Sequence, residues 1–321
     1  IQTYFTEGEG SSLQSKVSSE FWNDITRFEG NANAFRLLTH RFLGRRVGGF
    51  VMTYPTLAAI VKYPYASSAA GTHGKFGFFT SEAKIYQQIA DELGVFRLSN
   101  EGEPLRYVRH PLAYLMEAAD DICYEIMDIE DSHKLKILTY DETAELLLGF
   151  FDRETQSAIR RRFHEEGVTD QNEQVVYLRA RAVGLLEMEC VKTFVDNEDD
   201  ILNGSFKGSL IDNIAYPQRM AYKRCAEISY KKIYRSKPVL DVELSGYKIM
   251  ETLMQTLIGA AVHPEKYHSQ QLIGRVSSQY DIQSENLETR IMAVLDYISG
   301  MTDIYALDIY QKINGISLPL V

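Results

Sequence analysis

Cysteine is scarce in this 321-residue chain: Cys123, Cys190 and Cys225 are odd in number, far apart, and form no C-x-x-C pair. That rules out a disulfide framework and a cysteine-based zinc finger, and reduced thiols in a cytoplasmic protein are expected. Only eight prolines interrupt the chain, which leaves room for long helices. No apolar run approaches the ~20 residues of a membrane span, and no signal-peptide pattern is present, so a membrane protein is not expected. Positive charge is also short. With 34 Lys and Arg against 44 Asp and Glu the net charge is −10, which argues against a general nucleic-acid coat. A phosphate-bearing small molecule stays open if cations gather locally against the overall field. Several motifs are missing: there is no G-x-G-x-x-G, no G-x-S-x-G, and Gly74-Lys75 lacks the flanking residues of a P-loop. His110, His133, His164, His263 and His268 are scattered, and no His-Asp dipeptide occurs.

What is present is a core-forming helical chain. Hydrophobic residues make up 45% and charged residues 24%, an ordinary globular balance that excludes general disorder. Apolar periodicity predicts helices over 18–28, 31–42, 54–61, 81–94, 111–131, 139–149, 155–166, 174–196, 211–214, 216–234, 241–262 and 287–314. Irregular segments are expected at 1–20, 44–49 and 196–208, and a glycine-rich loop or short hairpin at 67–79. The expected fold class is mainly α, with no internal repeat and no linker dividing residues 1–321 into independent domains.

The densest chemistry lies in 117–131. On a helical wheel Glu117, Asp120, Asp121, Tyr124, Asp128 and Asp131 fall in one polar sector of roughly 100°. The apolar residues take the other side, where Glu125 and Glu130 intrude and are read as ordinary surface charges. Aspartates cost helix propensity, so the stripe is either a solvated acidic face or a set of oxygens presented to something positive. Other segments carry paired readings. Asn31, in Phe28-Glu29-Gly30-Asn31-Ala32, is a helix cap or a ligand contact, with Arg36 one turn on. Lys62, beside Tyr63 and Pro64, satisfies terminal carbonyls or meets an anion. Lys75 sits between glycines whose backbone can approach a phosphate closely. Arg290 precedes Asp296-Tyr297-Ile298-Ser299-Gly300-Met301-Thr302-Asp303, where Gly300 implies close packing or ligand approach.

Taken together, Phe28-Glu29-Gly30-Asn31-Ala32, Tyr54-Pro55-Thr56-Leu57, Lys62-Tyr63-Pro64, Glu117-Ala118-Ala119-Asp120-Asp121-Ile122, Tyr177-Leu178-Arg179-Ala180-Arg181-Ala182 and the Asp296–Asp303 segment resemble the deoxyguanosine triphosphate triphosphohydrolase (dNTPase) family of HD-domain phosphohydrolases. The resemblance implies a large multi-helix HD-domain-like architecture, with residues 1–135 the remainder of an HD-type core carrying substrate loops and 136–321 a C-terminal helical part. It implies metal-dependent hydrolysis of deoxynucleoside triphosphates, dGTP foremost, to deoxynucleoside and tripolyphosphate, with Mg2+ or Mn2+ as cofactor. A cytoplasmic homo-oligomer is the implied state. It puts the last metal ligand at Asp120, and substrate contacts at Asn31, Lys62, Tyr63, Lys75, Tyr124, Asp128, Arg290 and Glu243.

The family's histidine and His-Asp pair precede the Phe-Glu-Gly-Asn segment, and this sequence does not contain them. His40 and His73 match no metal position. Since the chain also opens on Ile1 rather than Met, it is expected to be a C-terminal portion lacking the N-terminal helices, with an incomplete metal site and no activity by itself. No catalytic residue is assigned. The competing expectation is a catalytically inert, nucleotide-binding regulatory or structural helical protein.

Overall fold

The computed structural model describes residues 1–71 and 74–316. It is all helical: among the described residues there is no strand, only isolated bridges pairing Tyr65 with Arg106, Ala66 with Phe78 and Arg97 with Tyr107. The chain divides into two compact units, one of residues 1–108 and 243–321, the other of residues 109–242. No described helix is long and apolar enough to cross a membrane.

The first unit opens with α1 (Gln2–Thr6), a 3-10 turn over Glu9–Lys16, α2 (Ser19–Thr26), α3 (Gly30–Thr39), α4 (Tyr54–Ala59) and α5 (Ala83–Leu93). Side-chain oxygens start several of these helices: Ser18 accepts from Phe21 N, Glu29 from Asn31 N, and Thr53 from Thr56 N. The expected irregular stretch at 1–20 is therefore mostly short helix, with Phe5 and Leu13 buried in the core. Among its described residues the 67–79 stretch shows no hairpin pairing. Its end runs parallel to the chain near Ala66, and Gly77 has no room for a Cβ, which would fall on the Tyr63 carbonyl and Val61.

The second unit carries α6 (Pro111–Lys134), α7 (Tyr140–Leu148), α8 (Arg153–Glu165), α9 (Gln171–Asp196), α10 (Glu198–Leu202), α11 (Leu210–Asn213) and α12 (Tyr216–Ile228). A π-helical turn, Ser229–Ile233, ends α12. Its core joins Ile122, Ile126 and Ile129 of α6 with Leu178, Ala182 and Leu186 of α9. The wheel reading of α6 needs correction at three carboxylates. Glu117, Glu125 and Glu130 are all buried. Arg109 donates to Glu117 at 2.6 Å, Ser229 Oγ to Glu125 at 2.7 Å, and Glu130 is ion-paired to Lys134 at 2.7 Å and Arg179 at 2.6 Å. Burial raises the Glu125 carboxyl above its ordinary value, against the Ser229 hydrogen bond.

The chain returns through α13 (Lys237–Val262), α14 (Tyr267–Ile273), α15 (Leu287–Ser299) and α16 (Asp303–Ile313). The single helix expected over 287–314 is two. α15 stops at Gly300, where an added Cβ would stand 3.2 Å from the Tyr280 hydroxyl, and Thr302 caps α16 by accepting from Tyr305 N. Close packing, the first of the two readings of Gly300, is what this contact gives.

One buried acid makes the first unit pH-sensitive. Asp24 accepts from Ser67 Oγ at 2.5 Å and Thr80 N at 2.8 Å. Burial nevertheless raises its pKa to about 6. A carboxyl raised in the folded state holds its proton more tightly there than in the unfolded chain. Its stabilising contribution is therefore full below pH ~4 and is lost as pH rises through about 6. Asp24→Asn, which mimics the protonated form, is expected to be more stable than the parent by about 2 kcal/mol at pH 8, with the difference closing toward pH 4. Urea midpoints across that range check this; a pH-independent difference would count against it.

Candidate functional site

In the first unit, the start of α3 builds a small charged cluster. Glu29, not Asn31, is the helix cap. Its carboxylate accepts from Asn31 N at 2.6 Å, from Asn31 Nδ2 at 2.9 and 3.1 Å, and from Lys75 Nζ at 2.8 Å. Asn31 and Lys75, predicted separately, thus meet on one buried acid that sequence reasoning did not single out. The Glu29 hydrogen bond raises the Lys75 ammonium above its ordinary value; partial burial and the nearby Lys62 charge oppose it. Lys62 Nζ lies 5.8 Å from the Tyr63 ring centroid, a cation–π contact. Lys62, Tyr63 and Lys75 therefore share one neighbourhood, held by the close passage at Gly77.

One turn along α3, Arg36 leaves the surface altogether. Its Nε and Nη2 donate to Asp296 at 2.8 Å each, and Nη1 donates to Glu82 at 2.6 Å. The His40 ring faces Glu82 at 3.4 Å. Burial works to raise Glu82, but the His40 hydrogen bond and the Arg36 charge hold it below the usual carboxylate value. Two segments picked out separately in the sequence, around Asn31 and around Gly300, are therefore tied by a bidentate ion pair. Above it opens a cleft of about 440 Å³ lined by Asp24, Arg36, His40, Phe42, Tyr280 and Asp296, among others. Arg290 has a different occupation. Its guanidinium donates to the carbonyls of Ala261 at 2.7 Å, Ser284 at 2.7 Å and Glu285 at 3.0 Å, bracing the chain between α13 and α15. Glu243 is exposed on α13. His73 lies outside the described residues.

In the second unit, α6 presents Asp120, Tyr124 and Asp128 at steps of four residues, about one turn each. Asp120 and Tyr124 are exposed; Asp128 is half-buried and accepts from Tyr234 Oη at 2.7 Å. Burial, and then the Asp128 carboxylate it serves, raise the Tyr234 phenol, so it stays a donor. The π turn before Tyr234 holds Ser229 against Glu125 and Tyr234 against Asp128, fixing two successive carboxylates of α6. Nothing in the periodicity of 216–234 marks that turn. Among the described residues no three His, Cys, Asp or Glu side chains gather into a group able to hold a metal ion. A divalent cation takes several oxygen or nitrogen ligands, so the described residues alone do not make up a metal site; Asp120 is an exposed carboxylate on α6.

Comparison with known proteins gives these residues their context. Residues 215–312 match the model of a phosphohydrolase-associated domain. A deoxyguanosinetriphosphate triphosphohydrolase-like protein of Pseudomonas aeruginosa is 32% identical, over 99% of this chain and 72% of its own length. A protein of the same description from Synechocystis is 31% identical, over 92% and 67%. The deoxyguanosinetriphosphate triphosphohydrolase of Serratia proteamaculans is 28% identical, over 95% and 67%. The similarity thus runs through both units and includes every segment discussed above. On that footing, the chain belongs to the deoxyguanosinetriphosphate triphosphohydrolase-like family of phosphohydrolases.

Proposed function

We propose that this chain binds a deoxynucleoside triphosphate, dGTP foremost, and contributes to its hydrolysis to deoxynucleoside and tripolyphosphate. The observation that carries the reading is the exposed Asp120–Tyr124 pair on α6, with Asp128 fixed by Tyr234 one turn on, in a chain related to such enzymes over almost its whole length. Asp120 is one metal ligand in this reading, the others coming from outside the described residues. Tyr124 and Asp128 meet the sugar and phosphates. Within the first unit, Lys62 and Lys75, with Tyr63, form a cationic and aromatic group suited to the charge of a triphosphate, and Asn31 orders the acid that holds Lys75.

Calorimetric titration with the four deoxynucleoside triphosphates in the presence of Mg2+ tests it. Saturable binding is expected, tightest for dGTP, and Lys62→Ala is expected to weaken it about tenfold, or 1.4 kcal/mol. No heat with any of the four would overturn the proposal; an unchanged affinity in the variant would remove Lys62 from it. Residues 1–321 assayed by themselves with Mn2+ are expected to release no tripolyphosphate, since one carboxylate does not hold a catalytic metal.

A further inference from the structure

Glutamate is an unusual residue to start a helix: Asp, Asn, Ser and Thr cap more effectively, their shorter side chains turning back onto the first N–H groups. Yet Glu29 caps α3, and it does so from inside the protein, 5% exposed. A buried carboxylate is costly unless donors surround it, and here they do. Oε2 accepts from Asn31 N at 2.6 Å, the Asn31 amide spans both oxygens at 3.1 and 2.9 Å, and Oε1 accepts from Lys75 Nζ at 2.8 Å. The extra methylene that makes glutamate a mediocre cap is what carries this carboxylate to Lys75. Lys75 has need of such a partner. It follows Gly74, at a φ of 65°, two residues before the close passage at Gly77, and its side chain is 51% exposed. A half-exposed lysine samples many rotamers, and that freedom is lost when it closes on a ligand. The Glu29 bond takes one of the three ammonium N–H groups, so Lys75 can meet an anion without letting go of it.

Charge excludes Glu29 as a phosphate contact in its own right. A carboxylate repels a polyanion, so beside phosphates it costs affinity unless it does something else. We propose that Glu29 is a positioning residue which, given Lys75 as a triphosphate contact in the function proposed above, fixes the Lys75 ammonium in the place from which it meets the phosphate chain before any ligand arrives. Holding a side chain ready in this way raises affinity by removing the ordering cost at the moment of binding. Asn31 completes the arrangement, since its backbone and side-chain N–H groups pin the carboxylate and keep Oε1 turned to the lysine. Glu29 thus touches no ligand and acts through Lys75.

Calorimetric titration of the 321-residue chain with dGTP and Mg2+ tests this through a double-substitution cycle. Glu29→Asp keeps the charge and the helix cap but draws the carboxylate back by one C–C bond, roughly 1.5 Å, out of reach of Lys75. It is expected to melt at the parent's temperature and to bind dGTP about fivefold more weakly, the loss expected for one side chain left unordered. Lys75→Ala is expected to bind about tenfold more weakly. Glu29→Asp together with Lys75→Ala is expected to bind no more weakly than Lys75→Ala, because the two residues act as one unit. Glu29→Gln still reaches Lys75 with a carbonyl oxygen and lacks the repelling charge, so it is expected to bind more tightly than Glu29→Asp. Parent-like binding by Glu29→Asp, or a Glu29→Gln variant weaker than Glu29→Asp, would overturn the proposal. So would losses that add in the double variant, which mark Glu29 as a cap and nothing more. A parent that binds no dGTP at all is a different failure: it removes the proposed function, and the role of Glu29 with it.

Discussion

Arg36→Met is expected to lower the stability of the folded chain by about 3–5 kcal/mol, the usual consequence of removing one partner from a buried ion group. The reason is what remains behind. Glu82 and Asp296 are each 3% exposed, and Arg36 supplies three of the donors that compensate them, at 2.6 to 2.8 Å. Without it two carboxylates stand in a poorly solvated place, with the His40 ring facing Glu82 at 3.4 Å. Glu82, no longer held down by the Arg36 charge, takes up a proton more readily and offsets part of the loss, so the deficit is expected to shrink as pH falls from 8 to 5. Restoring neutrality with Glu82→Gln and Asp296→Asn in the same chain is expected to recover most of it, because an uncharged cluster carries little desolvation cost. Urea midpoints of the single and triple variants check both statements. A loss below 1 kcal/mol for Arg36→Met would mean that water reaches the two acids. By contrast, the half-exposed pair between Lys312 and Asp308 is expected to contribute under ~1 kcal/mol.

Asp120→Ala is expected to leave folding untouched and to remove turnover. The side chain is exposed and its helix is held by Ile122, Ile126 and Ile129 on the opposite side, so the substitution has no packing consequence. On the proposed role as a metal ligand, losing it removes several kcal/mol of charge stabilisation, or on the order of 10²–10³-fold in rate. The measurement is tripolyphosphate release from dGTP with Mn2+, in the form of the protein that turns dGTP over, alongside the Mn2+ affinity of the variant. Near-normal turnover with unchanged Mn2+ affinity would sink the assignment. Tyr124→Phe is a useful companion, since it keeps the ring and removes only the hydroxyl.

The helices were largely legible because periodicity and caps are local. Ser18, Thr53, Thr139 and Thr302 each start a helix as their residue types imply. The all-helical class follows from the same signals. What escaped depends on partners far away in the chain. Glu125 and Glu130 look like misplaced surface charges until Ser229 and Arg179 arrive, 104 and 49 residues later. Glu29 looks like a linker residue until Lys75 returns to it. The π turn at Ser229–Ile233 leaves no trace in a pattern that counts 3.6 residues per turn. The break between α15 and α16 was readable in principle, since Thr302-Asp303 is an N-cap followed by an acid at the first helical position, but Gly300 by itself did not decide it. The candidate site residues were assigned through family resemblance, each short segment being too common alone.

The first unit is closed by residues from both ends of the sequence, and Arg36 meets Asp296 across 260 positions. During synthesis at roughly 5–20 residues per second, α3 therefore waits ~10–50 s before its buried partner exists. The contiguous stretch 109–242 can collapse on its own within that interval, while Phe5, Phe76 and Phe79, whose core is completed by residues beyond 250, have to stay shielded or risk association with other nascent chains. The ion pair that secures the finished unit is among the last contacts the ribosome makes available.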